Sequence, residues 1–298
     1  MTPILLLGRN GQVAWELRRT LAPLGQVVAL DRRSEPALDL SRPDGLADVV
    51  RTLKPGLIVN AAAYTAVDKA EQEPELAQRI NAVAPGVLAE EAKRIGAGLV
   101  HYSTDYVFAG DADRPYREND PTAPQGVYGR TKLKGEEAIR ACGGNYWILR
   151  TAWVYGGRGH NFLLTMLRLM GERSQLAIVD DQIGSPTWSR WIAEASAQML
   201  ARTRLNLQES AGIYHLTCDG QTSWYGFACK IRELAVEQGL LPNSAARIDA
   251  ITTADFPTPA KRPAYSVLDH HRLEDYFGLR LPAWESGLAA CLEGMALT

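Results

Sequence analysis

Residues 4–14 read ILLLGRNGQVA, and the order of residue types in that stretch decides the fold. Ile4–Leu7 is short, wholly apolar and followed at once by glycine, which suits a strand buried on both faces of a parallel sheet. Val13, Leu17, Leu21 and Leu24 then recur at helical spacing, and Gly25 follows as a stop signal. A second apolar run, VVAL at 27–30, ends in Asp31. The unit is strand, glycine turn, helix, strand, acid. In such a unit the backbone N–H groups and the positive end of the helix dipole meet where a pyrophosphate can sit.

The turn itself reads Gly8-Arg9-Asn10-Gly11-Gln12-Val13-Ala14, a GxxGxxG spacing whose last glycine is alanine. Alanine is small enough for the close helix-to-strand packing required there. Asp31 lies 23 residues after Gly8, where an acid at the end of the second strand takes ribose hydroxyls, and Arg32 and Arg33 follow it. The acid suits NAD and the arginines suit the 2′-phosphate of NADP, so both cofactors stay open.

Further segments continue the alternation. GLIVNAAAY at 56–64 reads as an apolar strand ending in small residues, GVLAEEAKRIG at 86–96 as a helix, and GLVHYSTDYVF at 98–108 as a strand carrying polar groups to the same sheet edge. WILRT at 147–151 is another buried strand. From about residue 154 the pattern changes, with an amphipathic FLLTMLRLM at 162–170, a strand LAIVD at 176–180, a helix near Trp188, a strand GIYHLT at 212–217 and a helix over 224–239. PTPAKRPAYSVLD at 257–269 is proline-rich and reads as irregular. The fold class is therefore α/β, a doubly wound parallel sheet of Rossmann type with a smaller carboxyl-terminal lobe. Residues 1–153 form the dinucleotide-binding part and 154–298 mainly a discontinuous substrate-binding lobe, some of whose segments return to the sheet.

Composition narrows the function. The 298 residues are 46% hydrophobic, enough for a large core. With Lys plus Arg at 32 against Asp plus Glu at 34, no polyanion such as nucleic acid is indicated as a partner. Cys142, Cys218, Cys229 and Cys291 lie far apart, with no CxxC and no His/Cys cluster at metal-ligand spacing. The opening MTPILLLGRNGQ lacks a basic leader region, and no stretch reaches membrane-span length. A cytoplasmic protein with no membrane partner is expected.

YGRTK at 128–132 places Tyr128 and Lys132 four apart, on one face of a helix. By itself that spacing is better explained by a solvated helix face. Together with STDYVF at 103–108, 24 residues ahead of the tyrosine counted from Thr104, it resembles the extended short-chain dehydrogenase/reductase family. Within that group NAAAYTAVDKAE at 60–71, LRTAWVYG at 149–156 and DQIGSPT at 181–187 are similar to the dTDP-4-dehydrorhamnose reductase family.

The resemblance implies reduction of the C4 ketone of dTDP-4-dehydro-6-deoxy-L-mannose by NADPH or NADH, giving dTDP-L-rhamnose. It implies Tyr128 as proton donor, Lys132 as its partner and ribose ligand, and Thr104 as a hydrogen-bonding group at the reacting carbonyl. Substrate contacts would come from Thr104, Asp105, Tyr128, Trp153 and Arg262, the last facing a diphosphate. The cofactor would be lined by Gly8, Asn10, Gly11, Gln12, Val13, Asp31, Arg32, Asp39, Leu40, Ala62, Ala63, Tyr64, Thr65 and Tyr102, besides Tyr128 and Lys132. Some relatives pair as homodimers around Mg2+, and Glu16, Glu194 and Glu293 fall at suitable places for that ion, although helix-surface glutamates are usually solvated.

The chemistry agrees with the assignment. Hydride addition builds charge on a carbonyl oxygen, so a proton donor or strong hydrogen bonds must meet it. Free tyrosine titrates near 10, and a nearby lysine would bring it down. Strand alternation turns Ser103 and Thr104 opposite ways, and the spacing favours Thr104. Two other readings remain: a non-catalytic binding subunit of the same fold, which would not need the Tyr/Lys pair, and an epimerase or dehydratase. Dehydratases place an acid pair after the threonine, whereas here Asp105 is followed by Tyr106.

Overall fold

The structure, a computed structural model, describes residues 2–203 and 209–297. Its strands are β1 (Ile4–Leu7), β2 (Val27–Leu30), β3 (Leu57–Asn60), β4 (Gly98–Thr104), β5 (Asn145–Thr151), β6 (Val154–Tyr155), β7 (Gln175–Val179), β8 (Ile183–Gly184), β9 (Thr187–Trp188), β10 (Gly212–His215), β11 (Thr222–Ser223) and β12 (Arg247–Ile251). Its helices are α1 (Gln12–Thr20), α2 (Pro43–Leu53), α3 (Val67–Ala70), α4 (Pro74–Gln78), α5 (Ala84–Ile95), α6 (Val127–Cys142), α7 (Phe162–Glu172), α8 (Ser189–Thr203), α9 (Trp224–Glu237), α10 (His271–Phe277) and α11 (Trp284–Ala296).

The main sheet has six strands in the order β10-β5-β4-β3-β1-β2, every neighbouring pair parallel. Successive residues of β1 explain why it is apolar throughout. Ile4 and Leu6 enter the core shared with α1 and α8, while Leu5 and Leu7 enter the core shared with α2 and α5. Burying each such leucine contributes roughly 2 kcal/mol before entropy is counted. Helices thus cover both faces, and the chain reverses its direction of travel across the sheet between β1 and β3. That switch point is where an open α/β sheet leaves a crevice at its carboxyl edge.

β10 comes from the second half of the chain yet pairs with β5 on the main sheet. The remaining strands form two-stranded pairs, β7 with β12, β8 with β11 and β6 with β9. The strand read over 98–108 stops at Thr104, where a 3-10 turn, Asp105–Val107, takes over. Thr104 starts that turn by accepting from the Tyr106 N–H at 3.2 Å, so the polar residue itself ends the strand. The strand read over 56–64 ends at Asn60, and its small residues run on as loop. Neither β12 nor α10 and α11 was indicated by sequence pattern. Among the described residues no helix is long and apolar enough to cross a membrane.

Candidate active site

The site is assembled at the carboxyl ends of β1, β3 and β4 and the first turn of α6. Gly8 leaves β1 with φ +99°, and a Cβ there would stand 3.0 Å from the Ala61 carbonyl oxygen beyond β3. Only glycine brings these two strand ends so close in that conformation. Gly11 sits at the N-cap of α1 with no side chain capping the first turn, which leaves those N–H groups to an incoming anion.

At the end of β2 the Asp31 carboxylate accepts from the Arg33 N–H at 2.8 Å, from Ser34 Oγ at 3.1 Å and from Asn10 Nδ2 at 3.0 Å. The Arg33 amide, followed by Ser34, Arg9 and Asn10, holds its pKa below the ordinary carboxylate range. Arg32 and Arg33 are exposed beside it. Gln12 bridges outward, donating to the Val154 carbonyl at 3.4 Å and accepting from Asn161 at 2.9 Å. Asp39 caps its own turn through the Ser41 N–H, and Leu40 is core. Val13, Ala62 and Ala63 are half-buried near the turn and Thr65 is exposed. Tyr64 donates to Glu73 at 2.7 Å. Tyr102 contributes a backbone oxygen rather than a ring, since its hydroxyl is buried against Ser196 at 2.7 Å.

Tyr128, Thr104 and Asp105 converge. Burial pushes the Tyr128 phenol up to about 12, the Thr104 hydroxyl hydrogen-bonded to it pulls the other way, and the Asp105 charge adds to the rise. Thr104 also donates to Asp105 Oδ1 at 2.9 Å. Burial raises Asp105 to about 6, against the opposing pull of the Ser266 and Thr104 hydroxyls. Ser103 faces the opposite way, as alternation requires, and bonds Glu136. Glu136 is in turn held by Arg150 at 2.6 Å, and both are almost fully buried.

Lys132 differs from its expected placement. Its head lies 3.0 Å from His101 Nε2 and donates to the Tyr102 carbonyl at 2.6 Å, deep against β4. Burial pulls it down to about 8, while Glu136 resists that fall. The groups that move the phenol are burial, Thr104 and Asp105, so in this state Lys132 does not set the Tyr128 value.

The residues between the pair also have roles that sequence did not disclose. A Cβ at Gly129 would stand 2.2 Å from the Tyr106 carbonyl oxygen. Thr131 accepts from Asn81 Nδ2 at 3.2 Å. Asn81, in a π-helical turn (Arg79–Val83) between α4 and α5, also accepts from the Tyr64 N–H at 2.8 Å and donates to its carbonyl at 3.1 Å. One asparagine thus ties the loop after β3 to α6. The turn's wide geometry has no reliable composition signal, and nothing in the sequence marks Asn81.

Trp153 has φ +46°, stacks on Trp224 with centroids 3.5 Å apart, and lies where a Cβ at Gly184 would fall 2.5 Å from its ring. Arg262 is bidentate to Asp68, at 3.1 and 2.9 Å, so its guanidinium is already paired in this structure. Glu16 is bonded by Arg19 and lies 3.5 Å from Arg190, while Glu194 and Glu293 are exposed on α8 and α11. Among the described residues no group of three or more His, Cys, Asp or Glu side chains is placed to hold a metal.

Comparison with known proteins follows the same outline. The family model described as RmlD substrate binding domain matches residues 1–297. The dTDP-4-dehydrorhamnose reductase of Burkholderia thailandensis is 49% identical over 98% of each chain. That of Escherichia coli K12 is 47% identical over 99% of this chain and 98% of its own. The solved structure of the Bacillus anthracis dTDP-4-dehydrorhamnose reductase, in complex with NADP, superposes with a TM-score of 0.86 at 35% identity, covering 97% of this chain and 98% of that one. With a family model matching from end to end and relatives nearly half identical over almost the whole of both chains, the chain belongs to the dTDP-4-dehydrorhamnose reductase family.

Proposed function

We propose that this protein is an NAD(P)H-dependent dTDP-4-dehydrorhamnose reductase, converting dTDP-4-dehydro-6-deoxy-L-mannose to dTDP-L-rhamnose at the last step of making that sugar donor. The convergence of Tyr128 and Thr104 at the end of β4, beside the glycine turn, is the observation that carries the reading. A dinucleotide fits the chain: Gly8 and the uncapped start of α1 make room and donors for its pyrophosphate, and Asp31 offers acceptors to its ribose. When bound, the dinucleotide supplies the hydride.

Everything else is done by side chains of this protein. Tyr128, kept protonated by burial, is the proton donor to the sugar oxygen on which charge develops. Thr104 gives that oxygen its second hydrogen bond once its hydroxyl turns from Asp105 Oδ1, and the buried Asp105 carboxylate is then an acceptor for a sugar hydroxyl. Lys132, one helical turn deeper, binds the nicotinamide ribose once its head leaves the Tyr102 carbonyl. Trp153, at the end of the dinucleotide-binding part (residues 1–153), would line the sugar, and Arg262, from residues 154–298 that supply most of the substrate-binding lobe, would line the diphosphate. Arg262 must then exchange Asp68 for phosphate oxygens.

Magnesium does not fit within one copy, because Glu16 is already engaged by two arginines and the three glutamates do not cluster. No step of the reaction is routed through it. A homodimer and a cytoplasmic site of action complete the proposal.

The test is oxidation of NADPH or NADH by purified protein given the dTDP-4-keto sugar. Turnover supports the reading. No turnover, with stoichiometric capture of a partner protein, would instead support a non-catalytic binding subunit.

A further inference from the structure

Behind Lys132 runs a short chain of buried polar atoms that the proposed reaction does not use. Asn60 ends β3 and accepts from the Ala62 N–H through Oδ1 at 3.3 Å. Its Nδ2 lies 3.0 Å from His101 Nδ1, and His101 Nε2 lies 3.0 Å from Lys132 Nζ. Asn60, His101 and Lys132 are each at most 1% exposed, so no solvent completes these contacts.

The donors and acceptors can be counted along the chain. With Asn60 Oδ1 taken by a backbone N–H, its amide group donates to His101 Nδ1, which must accept. A neutral imidazole that accepts at Nδ1 carries its proton on Nε2. That N–H points at Lys132 Nζ. An ammonium has no lone pair to receive it, whereas an amine has one and keeps hydrogens to donate to the Tyr102 carbonyl. The arrangement is therefore that of the amine form of Lys132, which prevails above its titration at about 8.

The other groups around this chain are consistent. Glu136, one turn beyond Lys132 on α6, favours its charge, but Arg150 from β5 neutralises that carboxylate with a bidentate pair, and Ser103 from β4 donates to it as well. Tyr128, on the same helix, is protonated. The imidazole is kept neutral chiefly by burial.

We propose that His101, fixed in one tautomer by Asn60, is the positioning residue of Lys132, donating from Nε2 to an uncharged amine in the ligand-free protein. It thereby parks the lysine head on the sheet until a cofactor ribose takes it. The inference rests on the reading of Tyr128 and Lys132 as the reductase pair.

Glutamine at position 101 reproduces the pattern, with an acceptor toward Asn60 and a donor toward Nζ; phenylalanine keeps the bulk and loses both. The titration of Lys132 is followed in the ligand-free protein by the 13C shift of its Cε, identified by its absence in Lys132→Met. Losing the donor to the amine moves that titration up in His101→Phe by about one unit, the worth of one buried hydrogen bond. His101→Gln leaves it near the native value. The more apolar phenylalanine would by burial alone push it down, so an unchanged or lowered value overturns the proposal.

The alkaline limb of kcat/KM follows the same order, rising in His101→Phe and restored in His101→Gln. A limb that stays put in both variants overturns it too. Should His101→Phe not fold, 15N shifts of the native His101 ring decide at pH 9: a proton on Nε2 supports the proposal and one on Nδ1 overturns it. A native protein that does not reduce the keto sugar defeats the functional reading while leaving the Lys132 titration standing.

Discussion

Gly129 lies directly beneath the Tyr106 carbonyl, so close that a Cβ would stand 2.2 Å from that oxygen and 3.0 Å from the Pro124 ring. The contact presses the first turn of α6 onto the 3-10 turn after β4, which brings Tyr128 to Thr104. Gly129→Ala therefore forces the two turns apart. Urea unfolding should show a loss of about 1–3 kcal/mol, the usual range for overpacking, with activity falling alongside. Arg130→Ala, at the exposed neighbouring position, should stay within about 0.5 kcal/mol of the native protein.

Gly8 combines φ +99° with a carbonyl in the path of any side chain. Gly8→Ala adds strain of roughly 1–2 kcal/mol from the left-handed backbone and moves the loop off the Ala61 oxygen. Calorimetric titration with NADPH or NADH should show weakened binding, with a smaller effect on the fold than on affinity. Unchanged affinity would mean that the pyrophosphate does not sit at this turn.

Asp105 makes stability depend on pH. Its folded value is raised by burial to about 6, against 3.8 for the free side chain. Between those values the folded protein binds the extra proton, so this group stabilises most below about pH 4 and that contribution is lost as pH rises through 6. The loss is on the order of 3 kcal/mol at most. Asp105→Asn should be more stable than the native protein above pH 7 in denaturant titrations and should lack that slope between pH 4 and 6. A native protein with no slope there would remove the buried carboxylate from the account.

Much of this was legible before any coordinates. The apolar runs at 4–7 and 27–30 became β1 and β2 with those bounds, because a short apolar run closed by a glycine or an acid carries its signal in its own residues. The glycine turn and the Tyr/Lys spacing were likewise local. What stayed hidden depends on partners distant in sequence. Asn81 reaches Tyr64 and Thr131 from 17 and 50 residues away, and His101 meets Lys132 across 31. The direction of the Lys132 head was misjudged for the same reason. Helical spacing puts it on the Tyr128 face, but the buried Tyr102 carbonyl and His101 ring draw it inward. The partner of Arg262 was not legible either, because Asp68 lies 194 residues earlier.

The central claim is that Tyr128 gives the proton that completes ketone reduction. It is tested most directly by comparing Tyr128→Phe with the native protein in the reduction of the dTDP-4-keto sugar, following NADPH or NADH oxidation at saturating cofactor. The ring and its edge-on packing against Tyr106 at 5.6 Å are kept, and only the hydroxyl is lost. The expected result is a fall in kcat of about 100-fold or more with the fold intact. A Tyr128→Phe protein that turns over at the native rate would contradict the account.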